Sequence, residues 1–403
     1  MPAAPQRIVV VGASLAGATA AVTLRKDGFE GALALIGEEP RVPYERPELS
    51  KSYLRGEVPF EELLVRPAEF WSDHDVDLRT GSRAVAIDVD RRIVRLAEGE
   101  ELPFDRLLLA TGCRNRTPPI PGADADGVYL LRTVDECDRL REDAVAGRSA
   151  VVAGMSFIGS EVAASLRSLG LEVTGIVSEA FPLGRIFGDE VGRELDEIHR
   201  SNGVRLVAND RLESIEGRGR VEAVLTTNGE RLACDLAVLA LGVEPATELA
   251  EETPIEVDDG ILVDELSRTN VEGIFAAGDV ARFQHPSVGR RMRVEHWQNA
   301  RRHGRAAARS MLGAGRPYDE VPWFWSDQYD HELQFAGFHG TWDATSVRRD
   351  DGGLVAYFSA GGILEAAAAI DRPEAIRGAI PRIAAREPVA RLPAWPTRTA
   401  GRG

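Results

Sequence analysis

The sequence has 403 residues, 44% of them hydrophobic and 28% charged, which predicts a globular chain of about two to four domains and excludes a disordered or fibrous protein. Acidic residues outnumber basic ones by 64 to 48, and the net charge of −16 argues against binding to nucleic acid. No apolar run approaches the roughly 20 residues of a membrane-spanning helix, and no signal peptide is recognisable. We therefore expect no membrane association and a cytoplasmic location.

The cysteine pattern argues against several kinds of site. Cys113, Cys137 and Cys234 are far apart in the sequence and form neither a CxxC nor a CxxxxC pair. A disulfide framework, a thiol–zinc site and a redox-active dithiol are therefore not expected, and no metal site is predicted.

One strand–turn–helix–strand unit occurs twice. Its first copy comprises a predicted strand over 7–11, a glycine-rich turn over 12–17, a helix over 18–26 and a strand over 32–36. The second copy comprises the same elements over 150–153, 154–159, 160–169 and 172–177. This duplication predicts an α/β fold with two Rossmann-like dinucleotide-binding domains.

Other elements are predicted between and after the two copies. Strands are expected over 82–88, 92–96, 106–110, 205–207, 221–226, 236–240 and 274–277, and a helix over 295–312. From residue 321 onward, alternating hydrophobicity predicts strands over 333–338, 345–348 and 355–358, followed by a helix over 373–386. This last segment is expected to form a separate α+β domain.

The first glycine-rich turn has the features of a dinucleotide site. Gly12 permits a tight turn out of the strand, Gly17 permits close helix packing, and the small Ser14 replaces the usual middle glycine. The helix that follows offers free N–H groups and a positive dipole end to a pyrophosphate. Glu38, at the end of the second strand, is placed to accept hydrogen bonds from a ribose diol. The alternative is a strand-to-helix turn that binds no ligand.

The second turn repeats this spacing. Gly154, Ser156 and Gly159 match Gly12, Ser14 and Gly17 in order. A chain with two such turns is expected to bind a flavin dinucleotide at one and a nicotinamide dinucleotide at the other.

Several longer motifs accompany the two turns. They are Gly12-x-Ser-x-x-Gly17, Pro43-Tyr44-Glu45-Arg46-Pro47-Glu48-Leu49-Ser50-Lys51, Ala110-Thr111-Gly112, Phe157-Ile158-Gly159-Ser160-Glu161, Gly242-Val243-Glu244-Pro245, Ala277-Gly278-Asp279 and Pro322-Trp323-Phe324-Trp325-Ser326-Asp327-Gln328-Tyr329. With them the chain resembles the FAD-dependent ferredoxin reductases of the putidaredoxin-reductase and biphenyl-dioxygenase-reductase type, over about residues 7 to 390.

The resemblance implies a glutathione-reductase-like fold. An FAD-binding domain is expected in two pieces, 1–114 and 244–320, around an NAD(P)-binding domain over 115–243. The C-terminal α+β domain is expected over 321–403 and above the flavin.

The resemblance also implies roles for individual residues in FAD binding. Gly12, Ser14 and Gly17 are expected at the pyrophosphate, Glu38 at the adenosine ribose and Asp279 at the ribityl chain. Thr111, Gly112 and Gly278 belong to the matching motifs and are expected to line the flavin site. A helix cap is the alternative role for Asp279.

The residues expected near the reacting rings are Lys51, Glu161 and Trp297. The resemblance implies that Lys51 lies near the flavin N5 and pairs with Glu161 on the nicotinamide side, and that Trp297 lies beside the isoalloxazine. The alternatives are a solvated loop lysine, a glutamate favoured by the helix dipole in the first turn, and a core tryptophan of an amphipathic helix.

Since a dithiol is missing, electrons must leave the flavin directly, and the resemblance implies a 2Fe-2S ferredoxin as acceptor, serving a cytochrome P-450 or a Rieske oxygenase. Arginines dominate the stretch 290–316, and Arg290, Arg291 and Arg293 are predicted to attract an acidic ferredoxin. A solvated helix face is the alternative for this stretch. Two other functions remain open: an NAD(P)H oxidase or reductase of small acceptors, and a redox-sensing flavoprotein like apoptosis-inducing factor.

The nicotinamide half departs from the family pattern. Val177 stands where many relatives place a ribose-binding acid, and Glu179 follows two residues later. If Glu179 binds the ribose, NADH is favoured over NADPH, because a carboxylate repels a 2′-phosphate. The nearby Arg185 keeps NADPH possible.

Overall fold

The computed structural model describes residues 5–338, 340, 342–350 and 352–389, and the chain divides into two compact units. The first unit comprises Met1–Pro119, Tyr129–Asp143 and Leu241–Glu320. The second unit comprises Ile120–Val128, Ala144–Ala240 and Val321–Gly403. Within the described residues, no helix combines the length and the apolar character that crossing a bilayer requires.

The helices and strands follow one another along the chain. The strands are β1 (Arg7–Val11), β2 (Ala32–Ile36), β3 (Val76–Arg79), β4 (Ala84–Asp88), β5 (Ile93–Leu96), β6 (Glu101–Pro103), β7 (Arg106–Leu109), β8 (Cys113–Asn115), β9 (Val128–Tyr129), β10 (Ser149–Ala153), β11 (Glu172–Val177), β12 (Arg205–Ala208), β13 (Leu212–Glu216), β14 (Ala223–Thr226), β15 (Arg231–Ala233), β16 (Leu236–Leu239), β17 (Val243–Pro245), β18 (Ile261–Val263), β19 (Ile274–Ala276), β20 (Ala281–His285), β21 (Arg290–Arg293), β22 (Trp323–Gln328), β23 (His331–Gly337), β24 (Ala344–Asp350), β25 (Gly353–Ala360) and β26 (Ile363–Ile370). The helices are α1 (Leu15–Lys26), α2 (Glu69–Asp73), α3 (Val134–Asp143), α4 (Phe157–Ser168), α5 (Gly184–Phe187), α6 (Asp189–Ser201), α7 (Glu248–Glu251), α8 (Trp297–Met311) and α9 (Pro373–Ala384), with 3₁₀ helices at Pro47–Ser50 and Phe60–Leu63.

The first unit is built on a five-stranded parallel sheet in the order β19-β7-β1-β2-β3. β1 and β7 read as apolar runs and are almost wholly buried, as expected of central parallel strands covered on both faces. After β1 the chain crosses through α1 to β2 on one side, whereas β7 lies on the other side. The carboxyl ends of β1 and β7 therefore form a switch point, where open α/β sheets bind ligands.

The second unit contains a similar parallel core in the order β12-β11-β10-β16, and its C-terminal segment forms an antiparallel sheet in the order β22-β23-β26-β25-β24. Helix α6 packs its apolar face, with Val191, Leu195 and Ile198, into one core with Phe324 and Phe335 of the antiparallel sheet. The predicted α/β fold with a C-terminal α+β segment is confirmed.

Two sequence-based expectations need correction. Helices α1 and α4 begin at Leu15 and Phe157, three residues before the predicted starts, so the last glycine of each turn already lies in a helix. The alanine-rich segment Ile363–Ile370, for which no element was predicted, forms the central strand β26 between β23 and β25. Its alanine side chains are buried on both faces of the sheet, and this tertiary packing overrides the helix propensity of alanine.

Candidate functional site

The first glycine-rich turn lies at the switch point of the first unit. Gly12 has a φ of +109°, and a Cβ there would overlap the carbonyl oxygen of Ala110. A Cβ on Gly17 would overlap the carbonyl oxygen of Gly12. Both glycines therefore serve close backbone approach, which brings the start of α1 to the edge of the sheet.

The amino-terminal end of α1 is suited to an anion. Ser14 occupies the N-cap position without a side-chain capping bond, and the first turn of α1 carries no acidic residue. The Ser14 hydroxyl instead accepts a hydrogen bond from Arg46 Nε at 3.4 Å. Because the first N–H groups of a helix have no intrahelical partner and the dipole end is positive, this turn fits a pyrophosphate.

A cavity of about 720 Å³ opens beside this turn within the first unit. Gly12, Ser14, Glu38 and Thr111 are among the residues that line it. The Glu38 side chain is 74% exposed, and its carboxylate lies 3.5 Å from the Arg83 guanidinium. The volume is within the range of ligand-binding cavities, and a carboxylate at the end of β2 is in the position that binds a ribose diol in dinucleotide folds.

A polar cluster on the cavity wall had no predicted role. Arg46 donates hydrogen bonds to Glu39 at 2.6 Å and to the Tyr44 hydroxyl at 3.1 Å. It also donates to the main-chain oxygen of Arg132. These bonds hold a guanidinium beside Ser14, where it can bind a phosphate oxygen. Arg46 belongs to the motif that ends at Lys51, and this membership is the sequence signal by which it could have been found.

Asp279 follows β19 and forms an ion pair with Arg132 at 3.6 Å. Burial raises the pKa of the Asp279 carboxyl, and Arg132 opposes that rise. Arg132 lines the cavity, whereas Asp279 is not among the lining residues in the described part of the chain. The chain continues into β20 at Ala281, so the alternative role of Asp279 as a helix cap is wrong.

The backbone before Asp279 is fixed by a buried histidine. The Gly278 N–H donates to His303 Nδ1 at 3.3 Å, and Gly278 has a φ of +79°. Burial lowers the pKa of His303 to about 3, so the imidazole is neutral and Nδ1 can act as an acceptor at neutral pH. Sequence reasoning gave His303 no role, since a lone histidine on a helix carries little signal.

The Ala110-Thr111-Gly112 segment joins β7 to β8 beside the cavity. The Thr111 hydroxyl donates to the main-chain oxygen of Ala246 at 2.7 Å, and Gly112 has a φ of +70°. Thr111 therefore fixes this segment while its remaining surface faces the cavity.

Lys51 and Trp297 both belong to the first unit. Lys51 follows the 3₁₀ helix Pro47–Ser50 and is only 4% exposed, so the alternative of a solvated loop lysine is wrong. Trp297 begins α8, its indole N–H donates to Glu45 at 2.8 Å, and the Arg301 guanidinium lies 5.2 Å from the ring centroid. Its half-buried ring packs against the core of this unit, so a packing role and a flavin-facing role remain compatible.

The second glycine-rich turn has nearly the same backbone as the first. Gly154 has a φ of +94°, and a Cβ on Gly159 would overlap the Gly154 carbonyl oxygen. Ser156 is the N-cap of α4, makes no side-chain capping bond and is exposed, and the first turn of α4 carries no acidic residue. This helix end also fits a pyrophosphate.

The ribose end of the second turn differs from that of the first. Val177 is buried at the end of β11, whereas Glu179 is half-buried and accepts a hydrogen bond from the main-chain N–H of Arg185. Glu179 thus fixes the start of α5 and keeps a partly exposed carboxylate in the position proposed for nucleotide selection.

Glu161 lies in the second turn of α4, not the first, so the alternative explanation by the helix dipole is wrong. Its carboxylate is buried and accepts a hydrogen bond from the Ser326 hydroxyl at 2.7 Å. Ser326 belongs to the Pro322–Tyr329 motif, whose function the sequence did not indicate.

The three arginines predicted to attract a ferredoxin are not equivalent. Arg290 and Arg291 are exposed on β21. Arg293, on the same strand, is only 11% exposed, pairs with Asp259 at 3.1 Å and also pairs with Glu295. Arg293 therefore differs from Arg290 and Arg291, because its guanidinium is engaged by two carboxylates.

The three cysteines are free and buried. Burial raises the pKa of each thiol to about 12, so all three remain protonated at neutral pH.

The chain is similar to known proteins in sequence and in structure. Residues 6–304 match the pyridine nucleotide-disulphide oxidoreductase family, and residues 323–394 match the reductase C-terminal family. Rhodocoxin reductase of Rhodococcus erythropolis is 40% identical over 353 residues, which cover 87% of this chain and 83% of the relative. The ferredoxin–NAD(+) reductase component of the anthranilate 1,2-dioxygenase system of Burkholderia cepacia is 38% identical over 342 residues, with coverages of 85% and 84%. Putidaredoxin reductase, solved in a covalent complex with putidaredoxin, has a TM-score of 0.93 and 32% identity over 96% of this chain and 94% of that chain.

Proposed function

Since the chain belongs to the pyridine nucleotide-disulphide oxidoreductase family and carries the reductase C-terminal domain, we propose that it is an FAD-dependent NADH:ferredoxin oxidoreductase. Its electron acceptor is a 2Fe-2S ferredoxin that serves a cytochrome P-450 or a Rieske oxygenase. Of the relatives named above, one is a ferredoxin–NAD(+) reductase by name and the other two are named as reductases of rhodocoxin and putidaredoxin. All three match most of the chain.

The observation that carries this proposal is the cavity at the first glycine-rich turn. It combines an open helix end at Ser14, a guanidinium at Arg46 and a carboxylate at Glu38, which match the pyrophosphate and ribose of FAD. The chemistry that FAD would supply there is the acceptance of a hydride from a reduced nicotinamide and the release of electrons one at a time. The three buried, protonated cysteines offer no dithiol route for these electrons.

The chain's own residues would orient the reactants. Arg46 and the start of α1 hold the pyrophosphate, while the His303–Gly278 bond and the Arg132 ion pair fix the segment that carries Asp279. We assign the nicotinamide nucleotide to the second turn, with its pyrophosphate at the start of α4. Lys51, Glu161 and Trp297 are assigned to the region of the reacting rings on the strength of the family resemblance.

NADH is the proposed donor, although Arg185 leaves NADPH possible. Glu179 carries the preference, because a half-buried carboxylate next to the adenosine ribose would accept hydrogen bonds from the diol and repel a 2′-phosphate. A cytoplasmic location goes with this function.

Ferredoxin docking is assigned to the exposed part of β21. Arg290 and Arg291 present positive charge in a chain of net charge −16, and an acidic partner would be drawn to them. In the same stretch Arg302 pairs with Glu320, and Arg309 pairs with Asp27 at 3.0 Å.

The function is tested by mixing the purified protein with NADH or NADPH in a stopped-flow instrument and then supplying a 2Fe-2S ferredoxin. We expect rapid bleaching of the flavin with NADH and reduction of the ferredoxin. Rapid bleaching without electron transfer to any ferredoxin would favour an oxidase or small-acceptor reductase. Slow bleaching with a long-lived charge-transfer complex would favour a redox-sensing flavoprotein.

A further inference from the structure

Strand β22 buries polar side chains on the face that should be apolar. Along this strand Phe324, Ser326 and Gln328 are buried, while the residues between them are half-exposed. Side chains alternate between the faces of a strand, so Ser326 and Gln328 share a buried face with Phe324. Buried polar groups cost free energy unless they are hydrogen-bonded, so their partners on this face are informative.

Hydrogen bonds connect these two side chains to the carboxylate of Glu161. The Ser326 hydroxyl donates to Glu161 Oε1 at 2.7 Å. The Gln328 amide nitrogen in turn donates to the Ser326 oxygen at 3.3 Å. Both hydrogen bonds point in one direction, towards Glu161.

A buried histidine extends this series of polar side chains beyond Gln328. His199 on α6 is fully buried, and its Nδ1 lies 3.2 Å from the Tyr329 hydroxyl. Burial lowers the pKa of His199 to about 4, while a hydrogen-bonding interaction with the Gln328 side chain opposes that shift. The imidazole is therefore neutral at pH 7 and carries one proton.

The placement of that proton follows from the remaining atoms. Among the residues that the structure describes, Gln328 Oε1 and His199 Nε2 are buried polar atoms that meet no hydrogen-bond partner. Gln328 uses its amide nitrogen towards Ser326, so its oxygen is left to accept. In the tautomer that protonates Nε2, Nδ1 accepts from the Tyr329 hydroxyl, and Nε2–H is the donor for the Gln328 side chain with which His199 interacts.

We propose that His199, Gln328 and Ser326 are positioning residues that form a one-directional donor chain and hold the Glu161 carboxylate in the orientation used during hydride transfer. This inference rests on the proposed function, in which Glu161 serves the nicotinamide side. All four residues belong to the second unit, so α6 and the antiparallel sheet together support a side chain on α4. Donors that polarise one another strengthen the terminal bond to the carboxylate.

The experiment compares Ser326→Ala, Ser326→Thr and Gln328→Leu with the parent holoenzyme. Ser359→Ala, which alters another buried serine of the same sheet, is the matched control. We expect the rate of flavin reduction by NADH to fall about 10-fold in Ser326→Ala and about 3-fold in Gln328→Leu, because the bond nearest the charged group contributes most. Ser326→Thr restores the hydroxyl and should return the rate to within about 2-fold of the parent, and Ser359→Ala should leave it unchanged.

A second readout does not depend on catalysis. In ¹⁵N NMR spectra of histidine-labelled protein, the parent should show His199 protonated at Nε2, and Gln328→Leu should shift that resonance. Calorimetric binding of NAD⁺ to the oxidised protein should change less than about 2-fold in Ser326→Ala, since the chain orients a carboxylate and does not contribute to the affinity for the nucleotide.

The variant Glu161→Gln distinguishes the proposed role of Glu161 from the proposed role of the donor chain that positions it. If Glu161→Gln reduces the flavin as fast as the parent, the role of Glu161 is wrong and the donor chain has no function to serve. If Glu161→Gln is slow but Ser326→Ala is as fast as the parent, the chain alone is overturned and the proposed function stands. Equal slowing in Ser326→Ala, Ser326→Thr and Ser359→Ala would show a packing effect and would also overturn the chain.

Discussion

The two glycine-rich turns have almost the same backbone and quite different surroundings. In both, the first glycine has a positive φ, +109° at Gly12 and +94° at Gly154, and the last glycine admits no Cβ. In both, an N-cap serine leaves the helix end open. Arg46 lines the cavity beside the first turn, whereas Ser156 in the second turn is exposed.

Under the proposed assignment, the backbone motif specifies pyrophosphate binding, and the neighbouring side chains specify which dinucleotide is bound and how it is held. The first site is lined by the charged side chain of Arg46, which Glu39 holds in place, and this suits a resident cofactor. The second site carries a half-buried carboxylate at Glu179 and an exposed N-cap, as suits a substrate that must bind and leave.

The largest expected effect comes from placing a negative charge at each N-cap in turn. Ser14→Asp should weaken FAD binding by on the order of 100-fold, because a carboxylate about 4 Å from a phosphate is repelled by several kcal/mol at the effective dielectric of a protein surface. Aspartate is itself a favoured N-cap residue, so the helix should not be destabilised. Flavin content and the dissociation constant of added FAD are the measurements.

Ser156→Asp is the matched variant and should do the reverse. It should keep its flavin and lose affinity for NADH by a similar factor, measured from the concentration dependence of flavin reduction. If Ser14→Asp keeps its flavin, or if Ser156→Asp loses it, the assignment of the two turns is wrong.

The next effect tests the exposed charges of the first unit. Exchanging both Arg290 and Arg291 for glutamine should raise the apparent KM for ferredoxin roughly 10-fold at low salt, and less at high salt, because steering by exposed charge acts within a Debye length of about 8 to 10 Å. Reduction of a small neutral acceptor should not change. Steady-state kinetics at two ionic strengths provide the measurement.

Arg293→Gln is the control for that pair, since Arg293 faces Asp259 and Glu295 instead of solvent. It should lower the melting temperature more than it alters the salt dependence of turnover. An unchanged KM in the Arg290/Arg291 variant would place ferredoxin docking elsewhere.

A smaller effect tests the ribose end of the second turn. Glu179→Gln should narrow the preference for NADH over NADPH about 3- to 10-fold, because it removes the charge that repels a 2′-phosphate. Glutamine still accepts the hydrogen bond from the Arg185 N–H, so the loop should be retained. The ratio of kcat/KM for the two nucleotides gives the result, and equal ratios in parent and variant would contradict the role of Glu179.

The sequence predicted the elements whose signal is local, and it missed those set by tertiary packing. Both βαβ units follow from apolar runs and glycine spacing. The central strand Ile363–Ile370 could not be predicted, because its alanines favour a helix. Only pairing with the two neighbouring strands of the sheet places them in a strand. Within the site, the spacing of the first glycine-rich unit predicted Ser14 and Glu38. His303 and Ser326 could not be predicted in this way, because they act through contacts with residues far away in the chain.

A separate comparison concerns two buried histidines, His303, which accepts the hydrogen bond from Gly278, and His199, which interacts with Gln328. Burial lowers their pKa values to about 3 and about 4, from an ordinary value of 6.5. Below pH 6.5 the unfolded chain binds these protons and the folded chain does not. The free energy of unfolding therefore falls as the pH falls, by about 1.4 kcal/mol per pH unit for each histidine, down to the folded pKa.

His303→Gln and His199→Gln should each reduce the fall in melting temperature between pH 7 and pH 5. Each kcal/mol of pH-dependent free energy of unfolding that a variant removes should reduce this fall by roughly 2 to 4 °C. If calorimetry resolves two transitions, each variant should alter the transition of its own unit. Parallel pH curves for parent and both variants would show that neither imidazole is kept neutral by the fold.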